Sequence, residues 1–149
     1  MPMIEQSILT IPAHKRGCHL ITKFIVGQLP PLPDCGLLHL HILHTSAALT
    51  INENYDPDVR RDLDSILDHV VPERQPYYTH TLEGDDDMPA HAKTSLIGTS
   101  LTIPVRDHHL CLGTWQGIYL CEFRDYGGDR QVVATVIGEN LSKTDSPTL

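Results

Sequence analysis

The chain has 149 residues, of which 40% are hydrophobic and 20% charged, and its formal net charge is −8 at pH 7. This length and balance are typical of a single globular domain with its own core. The acidic excess argues against nucleic acid or an anionic membrane as the main partner, because both attract clustered Lys and Arg. No apolar run approaches the ~20 residues of a spanning helix, and residues 1–12 lack the pattern of a secretory signal. We therefore expect a soluble, cytoplasmic protein.

The order of predicted elements indicates an α+β fold with mainly antiparallel sheets. Alternation predicts strands at 7–12 and 37–44, with a short helix from 22 to about 28 between them. Asp56 followed by Pro57 is a helix-start signal, and apolar residues at helical spacing predict one main helix over about 57–70. Pro89 predicts a short helix that ends at Gly98. Strands at 101–105, 110–113, 118–124 and 130–138 follow, and the polar tail 141–149 is expected to fray.

Histidine is the compositional outlier, with ten residues. His44 is in register with the apolar side of the strand at 37–44, because successive side chains of a strand face opposite sides. His39 and His41 fall on the other, more polar side. We therefore expect His44 to point inward at the edge of the core, and the other two to lie at the surface or at an interface.

Two further histidines flank an acidic loop. Asp85, Asp86 and Asp87 lie between His80 and His91 in the sequence. Neutral imidazoles together with a carboxylate are typical ligands of zinc sites. The spacing matches no standard zinc motif, however. The alternative is that the aspartates stabilise a helix N-terminus while the histidines make local hydrogen bonds. The pattern alone favours this alternative.

Polar residues at both ends of the next apolar segment are candidates for substrate binding. Thr45 and Ser46 can supply hydroxyls to a ligand or to a turn, and nothing around Ser46 resembles a nucleophile elbow. Asn52, Glu53 and Asn54 form a polar triplet that favours either turn formation or substrate hydrogen bonding, with Glu53 as a general base. Both interpretations stay open.

The remaining candidates lie in the main helix and in the C-terminal half. Asp62, at the margin of the apolar stripe of the helix, is a catalytic candidate. Trp115 is either a packing anchor or a stacking surface for a planar ligand, and Gln116 beside it is a substrate-binding candidate. Glu122 shares a strand face with apolar residues, so it is either paired or functional. Arg130 is its possible partner across a hairpin, or a bidentate phosphate ligand.

Four motifs together resemble the YjbQ-like family, whose members are often labelled secondary thiamine-phosphate synthase enzymes. In chain order these motifs are residues 44–49 (HTSAAL), 52–54 (NEN), 84–93 (GDDDMPAHAK) and 113–118 (GTWQGI). The resemblance covers about residues 7–139. It implies a compact α+β domain with sheets packed as a sandwich, and a homotrimer with pockets near subunit interfaces.

The resemblance also implies a metal site. The family's histidines at the positions of His44, His80 and His91 are its natural ligands, and zinc is the metal best suited to three imidazoles. The implied activity is weak thiamine-phosphate synthesis. In this reaction a thiazole phosphate nitrogen attacks hydroxymethylpyrimidine diphosphate, and pyrophosphate leaves. Lys93 and Arg130 would hold the diphosphate together with the metal.

Two alternatives to the transferase stay open, because dedicated diphosphate chemistry usually relies on Mg²⁺ held by carboxylates. The first is a zinc-dependent hydrolase or lyase of an unassigned small phosphorylated substrate, with Glu53 or Asp86 as the base. The second is a non-enzymatic trimer that binds a small metabolite. In the transferase, Trp115 would stack on the pyrimidine and Glu122 would be a further catalytic candidate.

Overall fold

The strands pair into two antiparallel sheets in the computed structural model, which describes residues 2–141. The eight strands are β1 Pro2–Ile11, β2 Gly17–Leu20, β3 Cys35–Ile42, β4 Ala47–Glu53, β5 Ser100–Arg106, β6 His109–Leu110, β7 Gln116–Glu122 and β8 Arg130–Glu139. The three helices are α1 Thr22–Gln28, α2 Pro57–Val70 and α3 Asp87–Ile97. One sheet has the order β1-β8-β3-β5-β6, and the other has the order β2-β7-β4.

The main core lies between the two sheets. Leu38 and Leu40 of β3 are fully buried and pack with Leu49 of β4 and Leu120 of β7. Each such side chain contributes about 1.5–3 kcal/mol when it is removed from water. The single α+β domain with mainly antiparallel sheets that the sequence predicts is confirmed.

Helices α2 and α3 cover the other face of the three-stranded sheet. A second apolar cluster joins Leu67 of α2 and Ala90 of α3 to Tyr119 and Cys121 of β7. The result is three layers: the five-stranded sheet, the three-stranded sheet, and the helix pair. Because β7 is covered on both faces, six of its seven residues are buried, and its sequence shows continuous rather than alternating hydrophobicity.

The helices differ from the prediction in one respect. The predicted bounds of α2 are confirmed, and the side chain of Asp56 accepts a hydrogen bond from the Asp58 amide as its N-cap. The expectation of one main helix was wrong, because α3 has 11 residues against 14 for α2 and begins two residues before Pro89. The buried face of α3 includes polar side chains such as Asp87 and Thr94, so the sequence shows no continuous apolar stripe over this helix. No helix in residues 2–141 is long and apolar enough to cross a bilayer.

Asp56→Ala is expected to destabilise the fold by about 1 kcal/mol, because it removes the N-cap hydrogen bond of α2. Urea unfolding followed by circular dichroism measures the change. Asp62→Ala, an exposed change within the same helix, is the matched control and should stay within about 0.5 kcal/mol of wild type. Equal losses in the two variants would contradict the role of the cap.

Candidate metal centre

Asp87 brings two histidines together at the start of α3. Its Oδ2 lies 2.6 Å from His80 Nε2 and 3.0 Å from His91 Nε2. Asp87 and His91 are four residues apart on one helix, so their side chains share a face. His80 reaches them from the loop before the helix. Within residues 2–141 these three are the group whose potential ligand atoms all lie within 4.8 Å of one another.

The ring of His91 is held in a single tautomer. Its Nδ1 lies 2.8 Å from the carbonyl oxygen of Thr45, and a carbonyl can only accept, so Nδ1 carries a proton. In a neutral ring Nε2 then presents a lone pair, and it faces the Asp87 carboxylate at 3.0 Å. Two lone pairs at this distance repel each other. The contact therefore requires either a proton between the two atoms or a metal ion bound to Nε2.

Arg124 fixes the other side of the Asp87 carboxylate. Its guanidinium donates to Asp87 Oδ1 at 2.6 Å and to Asp86 Oδ2 at 2.9 Å. Burial alone would raise the pKa of Asp87, but the hydrogen bond from His80 and the charges of His91 and Arg124 outweigh it and lower the pKa. The Asp87 carboxylate is therefore ionised at neutral pH. Its Oδ1 accepts from Arg124, and its Oδ2 contacts the two histidines.

The chemistry of this donor set suits a tetrahedral metal ion, and the two contacts to Asp87 are close to the separation that such an ion requires. Two ligand atoms bound to zinc at about 2.0–2.1 Å lie roughly 3.3 Å apart in tetrahedral geometry. The observed contacts to Asp87 are shorter by only some tenths of an ångström. The Thr45 carbonyl behind His91 and the guanidinium behind Asp87 are the kind of outer contacts that orient metal ligands.

A cavity of about 340 Å³ adjoins the group at His91. Its lining is largely hydroxyls and imidazoles and consists of His44, Thr45, His91, Thr94, Ser95, Gly98 and Thr99. Thr94 is 4% exposed, and its hydroxyl is buried without a hydrogen-bond partner among the described residues. A small polar ligand in this cavity would lie beside His91.

The expected third ligand, His44, is placed differently. It is partly buried just beyond β3 and lines the cavity. Its Nε2 accepts a hydrogen bond of 2.8 Å from the Gln131 amide, so this nitrogen is already used. The structure brings His80 and His91 together with Asp87 and not with His44.

Several predicted site residues lie at the opposite end of the three-stranded sheet. In the register of β4 with β7, Ala47 pairs with Glu122 and Glu53 pairs with Gln116, so six residue steps, or about 20 Å, separate the two ends. The residues at the far end are Asn52, Glu53, Asn54, Trp115 and Gln116. Asn54 donates to the carbonyls of Thr114 and Gln116, which is turn formation. The exposed Asp62 is not part of the metal-ligand group either.

The cations proposed to hold a diphosphate are buried in ion pairs. Lys93 is 1% exposed, and its Nζ lies 2.5 Å from Asp68 Oδ1. Arg130 pairs with Glu122 through contacts of 2.8 and 2.5 Å, and it also donates to the Ser46 carbonyl. Arg130 is therefore the partner of Glu122 across the hairpin, which was one of the two interpretations of its position.

Sequence reasoning did not single out Asp87 among the three aspartates of its loop, and it missed Arg124. The i, i+4 spacing of Asp87 and His91 was available as a signal. It was hidden because the helix was expected to begin at Pro89, which placed Asp87 outside it. Arg124 is 37 residues from Asp87 in sequence, and no local pattern indicates this contact.

Arg130→Met is expected to destabilise the fold by about 3–5 kcal/mol, because it leaves the fully buried Glu122 carboxylate without a counter-charge. Urea unfolding at neutral pH measures this loss. Replacing both partners, as Glu122→Leu with Arg130→Met, should recover most of it. A loss below about 1 kcal/mol in the single variant would show that the pair is not a structural element.

The acid stability of the fold should depend on Asp86. Burial would raise the pKa of Asp86, but hydrogen bonds from the Asp125 amide and Arg124 lower it below the ordinary value of 3.8. A lowered native pKa stabilises the fold above the ordinary value, and this contribution is lost as the pH falls through the native pKa. Asp86→Asn should therefore be less stable than wild type at about pH 6, and the difference should narrow towards pH 3 in urea titrations.

The exposed Asp85 supplies the matched control for this titration, since Asp85→Asn changes the same charge in a solvated position. It should alter stability by less than about 1 kcal/mol at either pH. A difference between wild type and Asp86→Asn that stays constant from pH 6 to pH 3 would contradict the lowered pKa.

Comparison with known proteins identifies the family. The family model described as UPF0047 protein YjbQ-like matches residues 7–139. The UPF0047 protein YjbQ of Escherichia coli O157:H7 is 49% identical over 139 residues, which are 92% of this chain and 100% of that protein. Its counterpart from Salmonella typhimurium is 51% identical over the same shares of the two chains.

Solved structures agree with the fold. A YbjQ-like protein of unknown function from Sulfolobus solfataricus superposes with a TM-score of 0.80 at 22% identity, over 93% of this chain and 100% of that one. A conserved hypothetical protein from Thermus thermophilus superposes with a TM-score of 0.75 at 34% identity, over 85% and 97%. None of these descriptions names an activity or a metal. The chain belongs to the UPF0047 YjbQ-like family.

Proposed function

We propose that this protein is a metal-dependent hydrolase or lyase that holds one divalent ion between His80, Asp87 and His91. The observation that supports this most is the contact between His91 and Asp87. With Nδ1 committed to the Thr45 carbonyl, Nε2 faces a carboxylate oxygen at 3.0 Å and needs a proton or a metal ion there. A divalent ion satisfies the two histidines and the carboxylate together.

The donor set favours zinc in a catalytic role. Two imidazoles and one carboxylate, with one position left open, are the ligands of several zinc hydrolases. An ion held in this way would supply Lewis acidity to a water molecule or to a substrate oxygen. The same three donors also bind iron(II) in non-haem enzymes, so a metal test has to include both ions.

The residues around the group have separate tasks in this proposal. The Thr45 carbonyl holds the His91 ring, and Arg124 holds the Asp87 carboxylate, so the ligands are oriented before any substrate binds. The cavity beside His91 receives a small substrate. The exposed Glu83 has its carboxylate 4.0 Å from His80 Nε2 and is placed to move a proton. It replaces the earlier candidates Glu53, which lies at the far end of the sheet, and Asp86, which Arg124 holds.

Thiamine-phosphate synthesis has less support from these residues. Its diphosphate needs cations, but Lys93 and Arg130 are buried in ion pairs with Asp68 and Glu122. The exposed Trp115 is at the other end of β7 from the histidines, where it contacts Tyr55 edge-on. The transferase would therefore need different diphosphate ligands from those that the resemblance suggested.

The homotrimer remains a proposal and is supported by the outer face of the five-stranded sheet. Ile4 and Leu37 both pair in register with Ile137, and all three are between 46 and 73% exposed. A contiguous apolar row on an uncovered sheet face is suited to contact with another subunit. The same trimer is also compatible with the remaining alternative, a metabolite-binding protein without catalytic activity.

Isothermal titration of the metal-free protein with zinc, and with iron(II) under anaerobic conditions, tests the proposed centre. Wild type should bind one ion per chain. His91→Ala and Asp87→Ala should each weaken binding by at least about 100-fold, because each removes a ligand. His69→Ala, at an exposed histidine of α2, is the control and should bind as wild type does. Unchanged binding in His91→Ala would contradict the proposed ligands.

Activity assays of the zinc-loaded protein separate the proposed reaction classes. Turnover of small phosphate esters, lost in His91→Ala and retained in His69→Ala, is expected for a hydrolase. Formation of thiamine phosphate from the two precursors, without ester turnover, would instead favour the transferase. Zinc binding with no turnover in either assay would favour the metabolite-binding alternative.

A further inference from the structure

His44 has a fixed hydrogen-bonding arrangement that the proposed metal centre does not use. The backbone amide of Gln131 donates to His44 Nε2 at 2.8 Å. An amide N–H can only donate, so Nε2 is the unprotonated nitrogen, and the proton of the neutral ring is on Nδ1. Nε2 is thus unavailable to a metal, whereas Nδ1 presents an N–H group.

The surroundings of His44 keep its ring neutral. Burial lowers the pKa of His44, and the nearby charge of Arg130 lowers it further, against a smaller opposing effect of Glu122. A second proton would have to sit on Nε2, where it would oppose the Gln131 amide. A neutral histidine of fixed tautomer is a hydrogen-bond donor that polarises a substrate oxygen without transferring its proton.

The cavity that His44 lines offers hydroxyls for the same kind of ligand atom. Thr45, Ser95 and Thr99 supply hydroxyls to its lining, and no Lys or Arg is among the lining residues that the structure describes. Neutral donors of this type stabilise oxyanions when they converge on one oxygen. The positive charge for an anionic ligand would then have to come from a bound metal ion.

We propose that the His44 Nδ1–H binds an oxyanion group, phosphoryl or carboxylate, of a small substrate in this cavity. The inference rests on the proposed function, because the ion at His80, Asp87 and His91 balances the charge of that group. His44 is then a substrate-binding residue beside the metal and not one of its ligands. The cavity lining has no Lys or Arg among the described residues. A single phosphoryl or carboxylate group therefore suits it better than a diphosphate, which carries more negative charge.

Histidine ring nitrogens in long-range ¹H–¹⁵N NMR spectra of the full chain report the tautomer directly. At about pH 7, His44 should show a protonated Nδ1 and an unprotonated Nε2, with and without zinc. A proton on Nε2, or zinc bound to either nitrogen of His44, would overturn the inference.

Titration of the zinc-loaded protein with inorganic phosphate and with acetate tests binding. His44→Phe should keep zinc affinity but weaken anion binding by about 10-fold or more, the effect of losing one hydrogen bond to a charged group. His44→Gln, whose amide can accept from Gln131 and still donate, should recover most of the affinity. His39→Phe, on the outer side of β3, is the control and should bind as wild type does. Thermal unfolding checks that each variant is folded.

The outcomes distinguish the two proposals. Binding of phosphate alone identifies a phosphoryl group, and binding of acetate alone identifies a carboxylate; dependence on His44 in either case supports the inference. Zinc binding with anion binding that is absent, or equal in wild type and His44→Phe, overturns this inference and leaves the metal centre intact. A wild-type protein that binds neither zinc nor iron(II) overturns the proposed function, and this inference with it.

Discussion

The buried carboxylate of Asp87 is the interaction on which the candidate site depends. One oxygen accepts from Arg124, and the other faces His80 and His91. This residue joins the loop before α3 and the helix itself to the segment after β7, which is 37 residues away in sequence. Without the negative charge of Asp87, the Arg124 guanidinium would lose a buried partner. The two imidazoles would lose the group that both of them contact.

The layered fold explains why this charge is tolerated near the core. Strand β7 is covered on both faces and the first three residues of β4 are buried, so the polar groups of the candidate site lie at the strand ends, where the chain turns. Thr45 before β4 and Arg124 after β7 lie at the same end because the two strands are antiparallel and in register from Ala47 with Glu122. The buried ion pair of Glu122 and Arg130 lies at this same end of the sheet. The turn held by Asn54 occupies the opposite end.

Much of the fold could be predicted from the sequence, and the reasons are local. The bounds of α2 follow from its N-cap, its first-turn proline and its amphipathic stripe. The start of α3 was missed because a buried helix with polar side chains on its buried face has no such stripe. The inward register expected of His44 agrees with its place at the cavity, but its assignment as a ligand came from the resemblance alone. Its hydrogen bond with Gln131, 87 residues away, has no local signal.

The single predicted site also contained residues from two ends of one sheet. Glu53 and Trp115 were grouped with the histidines because the motifs that carry the resemblance were assigned to one site. The register of β4 with β7 separates them. Buried ion pairs were equally hard to foresee, since Lys93 and Asp68 belong to different helices, and a lysine in a motif indicates a ligand contact as readily as a structural one.

X-ray data collected at the zinc edge from a zinc-soaked crystal test the central claim most directly. We expect one anomalous peak per chain within bonding distance of His80 Nε2, Asp87 Oδ2 and His91 Nε2, with His44 Nε2 still bound to the Gln131 amide. A peak bonded to His44, or a fully soaked crystal without a peak at Asp87, would contradict this account.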